Sequence, residues 1–457
     1  MDPDGSPADL LRSPAYLRLL LVAVLLGIPI SALAYGFLAA VHALQDLLFT
    51  DLPSALGFAV APLWWPQPWL AVGGLLVGAT VRYLPGHGGA SPADGFGEHP
   101  PPTPRELPGV ILAAFATLVF GAVLGPEAPL IAIGGGLAVL ALRAARGTPD
   151  QRVVAVVAST GSFAAISTLL GSPLLGAFLL MEAAGIGGGM MGLVLLPGLL
   201  AAGIGSLIFV GLGTLTGFGP VSLALPDLPA FARPELAQFG WAVVIGIAAA
   251  VLGTAIARSA LGVRTIVERS PVLLTGAVGV VVALLAGLYG LLTGKPVADV
   301  LFSGQDQLPG LLASAATYST GALLLLLAAK AVGYAVSLSA FRGGPIFPAM
   351  FLGAAGGIAV APLPGMSLVP AVAMGIGAMA VAMLRLPLTS VLLAVLLLGA
   401  DGLAVTPVVI VAVVVSHLAT ARLRAPRPSA SRREDPSAPP SGARPDPRSD
   451  ASPRPAP

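Results

Sequence analysis

The amino-acid sequence predicts an all-α polytopic membrane protein built from two related halves. First, 56% of the 457 residues are hydrophobic and only 10% are charged, and the mean hydropathy is +0.93. A soluble domain carries about 25% charged residues, so the surplus apolar surface must face lipid. Second, uncharged stretches as long as 343–384 occur, and at roughly 20 residues per span there is room for well over ten helices. Third, the chain has two kinds of helix-breaking element, and each kind occurs once in the first half and once in the second.

Composition also excludes several classes of function. The formal net charge of +2 gives no reason to expect a nucleic-acid partner, and the absence of cysteine excludes disulfides and thiolate metal sites. We expect no metal site and no cofactor, because the histidines are scattered without ligand spacing: His42, His87, His99 and His417. Ser416 and His417 are adjacent and point to different helix faces, so a serine–histidine membrane protease is disfavoured and we expect no enzyme.

The first half opens with a polar leader, residues 1–14. Leu19 to Val41 is a clean spanning segment, and Arg12 and Arg18 at its start favour a cytoplasmic N-terminus in a multi-pass protein of the cell membrane. The Gly- and Pro-rich stretch 86–95 cannot be regular helix. It is interpreted either as a solvated loop or as the wall of a cavity that opens a short helix at Pro92.

The centre of the first half is Glu127, a lone carboxylate within about 35 otherwise apolar residues, 107–142. A charge at bilayer depth costs at least roughly 2.5–3.5 kcal/mol, so such residues usually face a cavity or pathway. Gly125, Pro126 and Pro129 break the helix and start a new one, whose first N–H groups are unpaired. Transport proteins build ion sites from such broken helices. The alternatives are an acid at a surface loop tip and one half of a buried ion pair.

The second half repeats this plan. A broken-helix element closes at Pro129 and again at Pro348, 219 residues later, and a Pro-Leu element recurs at Pro173 and Pro387, 214 residues apart. Nearly equal offsets predict an internal repeat with a binding site at the interface of the repeats. The predicted organisation is therefore a first membrane half, a connection, a second membrane half and a disordered Pro/Arg-rich cytoplasmic tail, at 15–226, 227–235, 236–422 and 423–457.

Five short motifs, in order along residues 15–420, resemble those of the CLC family of chloride channels and proton/chloride antiporters. Residues 88–92 are similar to the family signature G-S-G-I-P, and residues 125–129 to G-[KR]-E-G-P. Residues 172–182 are similar to A-P-L-A-G-x-L-F-x-x-E. Residues 343–348 are similar to G-G-x-F-x-P, and residues 385–389 to R-A-P-L-T. Each motif alone is weak, because glycine and proline are common in this chain. Five in the right order at plausible spacing identify a divergent bacterial member of the family.

The resemblance implies two inverted structural repeats whose broken helices meet at an anion site at the membrane midplane. It also implies a homodimer in the lipid bilayer, with one pathway in each subunit for chloride or a similar small anion. Glu127 matches the family's gating glutamate, whose carboxylate occupies an anion position when ionised and swings away when protonated. The implied anion-binding positions are Gly89, Ala90, Ser91, Gly125, Ala128, Gly344, Ile346 and Phe347.

The chain also departs from the family pattern around the anion. Gly89 or Ala90, rather than serine, falls where a hydroxyl meets the anion in the family, and Ser91 substitutes only if the loop shifts. Pro126 replaces the basic residue before the glutamate. Pro345 stands where the family often offers an N–H group, which proline lacks.

Two further departures concern protons. The inner acid of many family antiporters corresponds to Ala183, beside Glu182, and no tyrosine follows Tyr334 to match the family's late pore tyrosine. We therefore predict passive anion transport, with proton coupling weak or absent. The alternative is a proton-coupled antiporter in which Glu182 or a water chain replaces the inner acid. A third hypothesis, a non-transporting scaffold or receptor, leaves Glu127 without a purpose that offsets its solvation cost.

Lys330 is an isolated cation within an apolar run. We interpret it as a helix-end residue that extends its ammonium group to the membrane interface. A structural partner role for this lysine is the next interpretation.

Overall fold

The computed structural model describes residues 13–97, 99–146, 151–185, 189–217, 229, 231 and 233–424. Within these ranges fifteen α-helices of seven or more residues follow one another along the chain. They are α1 Pro14–Asp46, α2 Pro66–Tyr83, α3 Leu107–Val119, α4 Glu127–Arg146, α5 Gln151–Leu170, α6 Pro173–Ala183, α7 Gly189–Thr216, α8 Leu236–Val267, α9 Pro271–Thr293, α10 Gln307–Ala313, α11 Thr320–Ala340, α12 Ile346–Val360, α13 Leu368–Leu384, α14 Pro387–Leu397 and α15 Gly402–Arg424.

Eight of the described helices are long and apolar enough to cross a membrane: α1, α4, α5, α7, α8, α9, α11 and α15. Five further apolar helices of 10–17 residues are shorter: α3, α6, α12, α13 and α14. The only extended pairing in the described ranges is one isolated bridge, and no strand is present there. The predicted all-α polytopic membrane fold is confirmed.

Proline and serine determine where several helices begin. Proline occupies one of the first two positions of α1, α2, α6, α9 and α14, where the missing N–H would be unpaired in any case. The hydroxyls of Ser13, Ser172 and Ser319 accept hydrogen bonds from N–H groups in the first turns of α1, α6 and α11. These caps replace intrahelical partners that the first turn lacks.

Residues 183–226 are uncharged and dense in glycine, a pattern that predicts two closely packed helices joined by a minimal turn. Over the described part of this stretch the prediction is wrong. Gly189–Thr216 forms one helix that continues through Pro197. A Cβ atom at Gly205 would lie 2.7 Å from Oγ of Ser31 and 2.8 Å from the carbonyl oxygen of Ala164. Glycine therefore serves close packing between helices here, as small residues commonly do in membranes, rather than forming a turn.

The expected correspondence between halves is visible in the helix starts. The helices α6 and α14 both have 11 residues and both begin at a proline. The helices α4 and α12 both begin directly after a glycine-proline break. The helices α12 and α13 then pack backbone to backbone, since a Cβ atom at Gly353 would lie 2.2 Å from the carbonyl oxygen of Gly375. The helix that follows the second broken element is thus held closely against α13.

The prediction that the ammonium group of Lys330 reaches the membrane interface is wrong. Its side chain is completely buried in α11. The ammonium group donates to the carbonyl oxygens of Asp299 at 2.9 Å and Leu301 at 3.1 Å, and it lies 4.2 Å from the centroid of the Phe351 ring. Backbone carbonyls and an aromatic face replace water around this cation. Its role is structural, which was the second interpretation.

Several predicted boundaries lie outside the described residues. These include residues 1–12 of the leader, residues 227, 228, 230 and 232 of the connection 227–235, and the tail beyond Arg424. Packing divides the chain into two units, Met1–Leu423 and Arg424–Pro457. Every helix contact and cavity discussed below belongs to the first unit.

Candidate functional site

The two broken-helix elements meet at a pair of glycines. The N–H of Gly125 donates to the carbonyl oxygen of Gly344 at 2.8 Å, and the N–H of Gly344 donates to the carbonyl oxygen of Gly125 at 2.6 Å. This antiparallel bridge lies just before the first residues of α4 and α12. Two helix N-termini, each carrying partial positive charge on unpaired N–H groups, are therefore fixed beside each other.

The carboxylate of Glu127 lies in this junction with no exposed surface. Its Oε1 atom accepts a hydrogen bond from the N–H of Phe347 at 2.7 Å, and its Oε2 atom is buried without a hydrogen-bond partner. A Cβ atom would lie 1.8 Å from Oε2 if added at Gly344 and 2.3 Å if added at Gly125. Only glycine at both positions leaves room for the carboxylate.

Neither alternative interpretation of Glu127 fits this geometry. The residue is not at a surface loop tip, because it is the first residue of a buried helix end. It is not half of an ion pair within the described residues, where the ion pairs involve other carboxylates: Asp306, Asp94 and Glu268. An unpaired anionic side chain at a helix N-terminus occupies a place suited to any small anion.

Two separate cavities approach Glu127. The large cavity, about 480 Å³, is lined by the residues that follow the glutamate, Ala128 and Pro129, and by Gly343. The small cavity, about 30 Å³, is lined by residues that precede it, Leu124 and Pro126. No described residue lines both cavities. The Glu127 carboxylate thus lies in the protein that separates them.

The glycine-rich stretch 86–95 forms part of the wall of the large cavity and is not simply a solvated loop. Residues 86–89 have φ between 50° and 91°, including His87 at 50°, so glycine is needed at most of these positions. A short 3₁₀-helix then begins at Pro92, as the sequence predicted. The Oγ atom of Ser91 is buried without a hydrogen-bond partner.

The structure brings most of the sequence-predicted anion positions to one region. Gly89, Ala90, Ser91 and Ala128 line the large cavity. The remaining four surround the carboxylate or belong to the chain that carries its partner: Gly125, Gly344, Ile346 and Phe347. Residues from three distant segments are thus assembled around one carboxylate and one cavity.

Pro345 does not deprive the carboxylate of a donor. Proline caps the N-terminus of α12, and the N–H that reaches Glu127 comes from Phe347, two residues further on. The carbonyl oxygen of Pro345 accepts a hydrogen bond from the hydroxyl of Tyr334 at 2.8 Å. The turn is therefore anchored to α11, and the helix N-terminus keeps its function as a donor.

Glu182 occupies a different place. Its carboxylate accepts three hydrogen bonds at the start of α14, from the N–H of Leu388 at 2.9 Å and from the N–H and hydroxyl of Thr389 at 2.7 and 2.6 Å. These contacts cap α14 and tie it to α6. The neighbouring Ala183, not Glu182, lines the large cavity.

Sequence reasoning missed one polar residue of the cavity, Arg342. It lies directly before Gly343 and lines the large cavity together with the loop at Gly88. Arg342 receives no role from its sequence context, because a single basic residue between two apolar helices carries no motif of its own. The nearby Gly343-Gly344 motif was the available signal, since residues adjacent to a broken helix share its site.

A polytopic helical protein whose broken helices meet at a buried carboxylate belongs to the class of ion-transport proteins built from discontinuous helices. Comparison with known proteins identifies the family within this class. The family model described as "Voltage gated chloride channel" matches residues 73–421. The chain therefore belongs to this family, whose members transport anions, and it is a multi-pass membrane protein.

Individual relatives are similar over most of their length. "Putative ion-transport protein YfeO" of Salmonella schwarzengrund is 30% identical over 356 residues, which cover 76% of this chain and 81% of that protein. A slow cyanobacterial Cl⁻/H⁺ antiporter has a similar fold, with a TM-score of 0.71, 21% identity, and coverage of 89% of this chain and 95% of that one. A CLC-type fluoride/proton antiporter gives a TM-score of 0.64, 18% identity and coverage of 88% and 95%.

Proposed function

We propose that this protein carries chloride or a similar small anion passively, through a pathway that the Glu127 carboxylate closes. The observation that carries the proposal is the position of that carboxylate. It is completely buried at the N-terminus of α12, hydrogen-bonded to the N–H of Phe347, and lies between two cavities. The protein's own side chain thus occupies the place where a permeating anion would be bound.

The mechanism follows from competition for the same donors. When the carboxylate is ionised, it holds the N–H groups at the junction and separates the cavities. When it takes up a proton it loses its charge, so its attraction to the helix N-terminus weakens and an anion can replace it. No salt bridge to Glu127 is present in the described chain. Backbone dipoles bind the anion without a fixed cation that would trap it.

Two features support passive transport over strict proton exchange. Ala183 cannot carry a proton at the position where many family antiporters have an acid. Glu182 is occupied by three hydrogen bonds at the start of α14, so its carboxylate is committed to a cap. An isolated charged intermediate in low-dielectric protein is costly, and a proton route therefore needs another relay.

The large cavity supports the alternative, a proton-coupled antiporter. It is lined by Ala183 at one end of α6 and by Ala128, the residue next to Glu127. At about 480 Å³ it has room for many water molecules, each of which needs about 30 Å³. A water chain could then deliver protons without a side-chain relay. A non-transporting scaffold is disfavoured, because it would bury the Glu127 carboxylate for no gain.

The deciding experiment uses the purified full-length chain in liposomes. We expect Glu127→Gln to fold normally and to lose the pH dependence of anion flux, because the titrating group is gone. Asp51→Asn, which removes an exposed carboxylate from the short π-helix Leu47–Asp51 that follows α1, is the matched control. An unchanged pH profile in Glu127→Gln would assign the residue a structural role.

The same vesicles separate the two transport modes. An imposed chloride gradient should produce little proton movement if transport is passive. Sustained uphill proton movement that disappears in Glu127→Ala would instead establish the antiporter. If the wild-type protein carries no anion flux in liposomes, both transport modes are rejected.

We further propose that the protein is a homodimer of the cell membrane with both termini in the cytoplasm. The support is the family resemblance and the arginines that flank the start of α1. Cross-linking in native membranes tests the dimer, and accessibility of tags at both termini tests the orientation.

A further inference from the structure

The small cavity is a constriction on the way to Glu127. It is lined by Leu124 and Pro126, which precede the glutamate, and by Asp306, whose side chain is exposed to solvent. Its volume of about 30 Å³ is close to the volume that one water molecule occupies in the liquid. An anion that passes through it must therefore leave most of its hydration shell behind.

The aromatic ring of Phe302 belongs to the wall of this cavity. The N–H of Phe302 donates to the carbonyl oxygen of Gly121 at 3.1 Å, and a Cβ atom at Gly121 would lie 3.3 Å from the ring. The ring also makes an edge contact with Phe49, with 5.1 Å between the two centroids. Phe49 lies in the short π-helix Leu47–Asp51 that follows α1. Phe302 is thus wedged between this π-helix and the segment that leads to Glu127.

The backbone of Phe302 is strained. Its φ of 57° is an outlier for a bulky residue, and such conformations persist only where the surroundings hold them in place. One such contact follows at Gly304, where a Cβ atom would lie 2.7 Å from the ring of Phe351 in α12. Strained residues cluster at ligand clamps and switch regions, so the conformation of Phe302 calls for a functional explanation.

The two ends of the segment 299–306 are held differently. At the first end, the buried Lys330 donates to the backbone carbonyl oxygen of Asp299, itself buried, at 2.9 Å. At the second end, a carboxylate oxygen of Asp306 lies 3.4 Å from Nε2 of His42 on α1, and these side chains are 53% and 30% exposed. Exposed ion pairs contribute little to stability. The segment can therefore open at Asp306 while its first end stays fixed.

We propose that Phe302 is a second barrier of the pathway, on the small-cavity side of Glu127, and that an anion passes when the segment 299–306 opens at the contact between Asp306 and His42. This inference rests on the proposed function, because it adds a second closure to the same pathway.

The barrier at Phe302 acts mainly through dehydration of the anion. A narrow constriction with apolar walls excludes a hydrated ion, as hydrophobic gates in channels do. The Asp306 carboxylate adds repulsion for an approaching anion. Outward movement of the segment would widen the cavity and remove both groups together. Two barriers in series then control passage, because Glu127 occupies the anion position and Phe302 limits access to it.

The first test is the initial rate of chloride efflux from proteoliposomes that contain the full-length chain. With Glu127→Ala the carboxylate is gone, so the remaining resistance lies at Phe302. Adding Phe302→Ala should raise the efflux of Glu127→Ala about tenfold, which corresponds to one recovered hydrogen bond between the anion and water. Phe58→Ala, which removes an exposed ring that lines neither cavity, is the matched control in the same background. Equal efflux from the two double variants would overturn the barrier.

The second test leaves the Phe302 ring in place, so it decides the matter even if Phe302→Ala fails to fold. The chain has no cysteine, so a pair introduced by His42→Cys and Asp306→Cys is the only one present. We expect a short bifunctional methanethiosulfonate to join the pair and stop chloride efflux, and reduction of the cross-link to restore it. Each single cysteine variant, treated in the same way, is the control. Normal efflux after complete cross-linking, verified by mass spectrometry, would overturn the opening of the segment.

Failure of the barrier and failure of the proposed function give different results. Flux that is gated by Glu127 but indifferent to Phe302→Ala and to the cross-link would reject the barrier alone. Raised flux in Phe302→Ala, together with an unchanged pH profile in Glu127→Gln, would reject the gate at Glu127 and leave the barrier. Absence of anion flux from the wild type and from every variant would reject both.

Discussion

A single methyl group should displace the Glu127 carboxylate without altering any charge. In Gly344→Ala the new Cβ atom would lie 1.8 Å from Oε2 of Glu127, and real Cβ contacts essentially never fall below 3.0 Å. The carboxylate must therefore move by at least the difference, 1.2 Å. Gly344 does not have a positive φ, so alanine can adopt its backbone conformation without strain. The variant tests the steric closure of the pathway directly.

The expected size of the change in anion flux follows from the hydrogen bond that Gly344→Ala removes. Displacement breaks the 2.7 Å hydrogen bond from the N–H of Phe347 to Oε1. A hydrogen bond to a charged group is worth roughly 1.5–3 kcal/mol, which corresponds to a shift of about 10- to 150-fold in the balance between the occupied and vacated positions. Gly344→Ala should therefore raise anion flux at pH values where the wild type is largely closed.

The assay is the initial rate of chloride efflux from proteoliposomes, measured across pH. Gly356→Ala is the matched control, because it adds the same methyl group to α12 with no heavy atom within 4 Å. The double variant Gly344→Ala with Glu127→Ala reveals whether the methyl group itself blocks the anion, since flux would then fall below that of Glu127→Ala alone. Equal rates and pH profiles for Gly344→Ala and Gly356→Ala would refute the steric argument.

Three further predictions concern stability, each measured as the thermal unfolding midpoint in detergent. Lys330→Met should lower the midpoint strongly, at roughly 1–3 kcal/mol for each carbonyl left without a donor, while the partly exposed Lys295→Met should lower it less; similar effects would contradict the buried role. Glu182→Ala should lower the unfolding midpoint, whereas Glu182→Gln, which keeps an acceptor for the N–H groups of α14, should lower it less. If Glu182→Gln keeps its stability but abolishes proton movement in liposomes, Glu182 is a proton relay rather than a cap. Gly353→Ala should destabilise the α12–α13 contact, where the new Cβ atom meets backbone at 2.2 Å, far more than Gly356→Ala does; a midpoint equal to that of Gly356→Ala would mean that this packing is loose.

Local chemistry allowed much of the fold to be predicted from the sequence. Uncharged stretches predicted the spanning helices, and Gly125 with Pro126 located the break before α4, because each feature acts within a few neighbouring residues. Glu127 was identifiable for the same reason, since its solvation cost depends on the apolar sequence around it. Glycine density misled at 189–216, where the helix continues and the glycines serve packing.

Tertiary contacts decided what each of these residues does. The sequence determined that Glu127, Lys330 and Arg342 are charges beside apolar segments, but it did not distinguish their surroundings. Only the fold placed the three carbonyls of residues 299–301 around Lys330 and the N–H of Phe347 against Glu127, and left Arg342 without a salt bridge among the described residues. The physical reason is that the cost of burying a charge is set by partners on other segments of the chain, and those segments meet only when the chain folds.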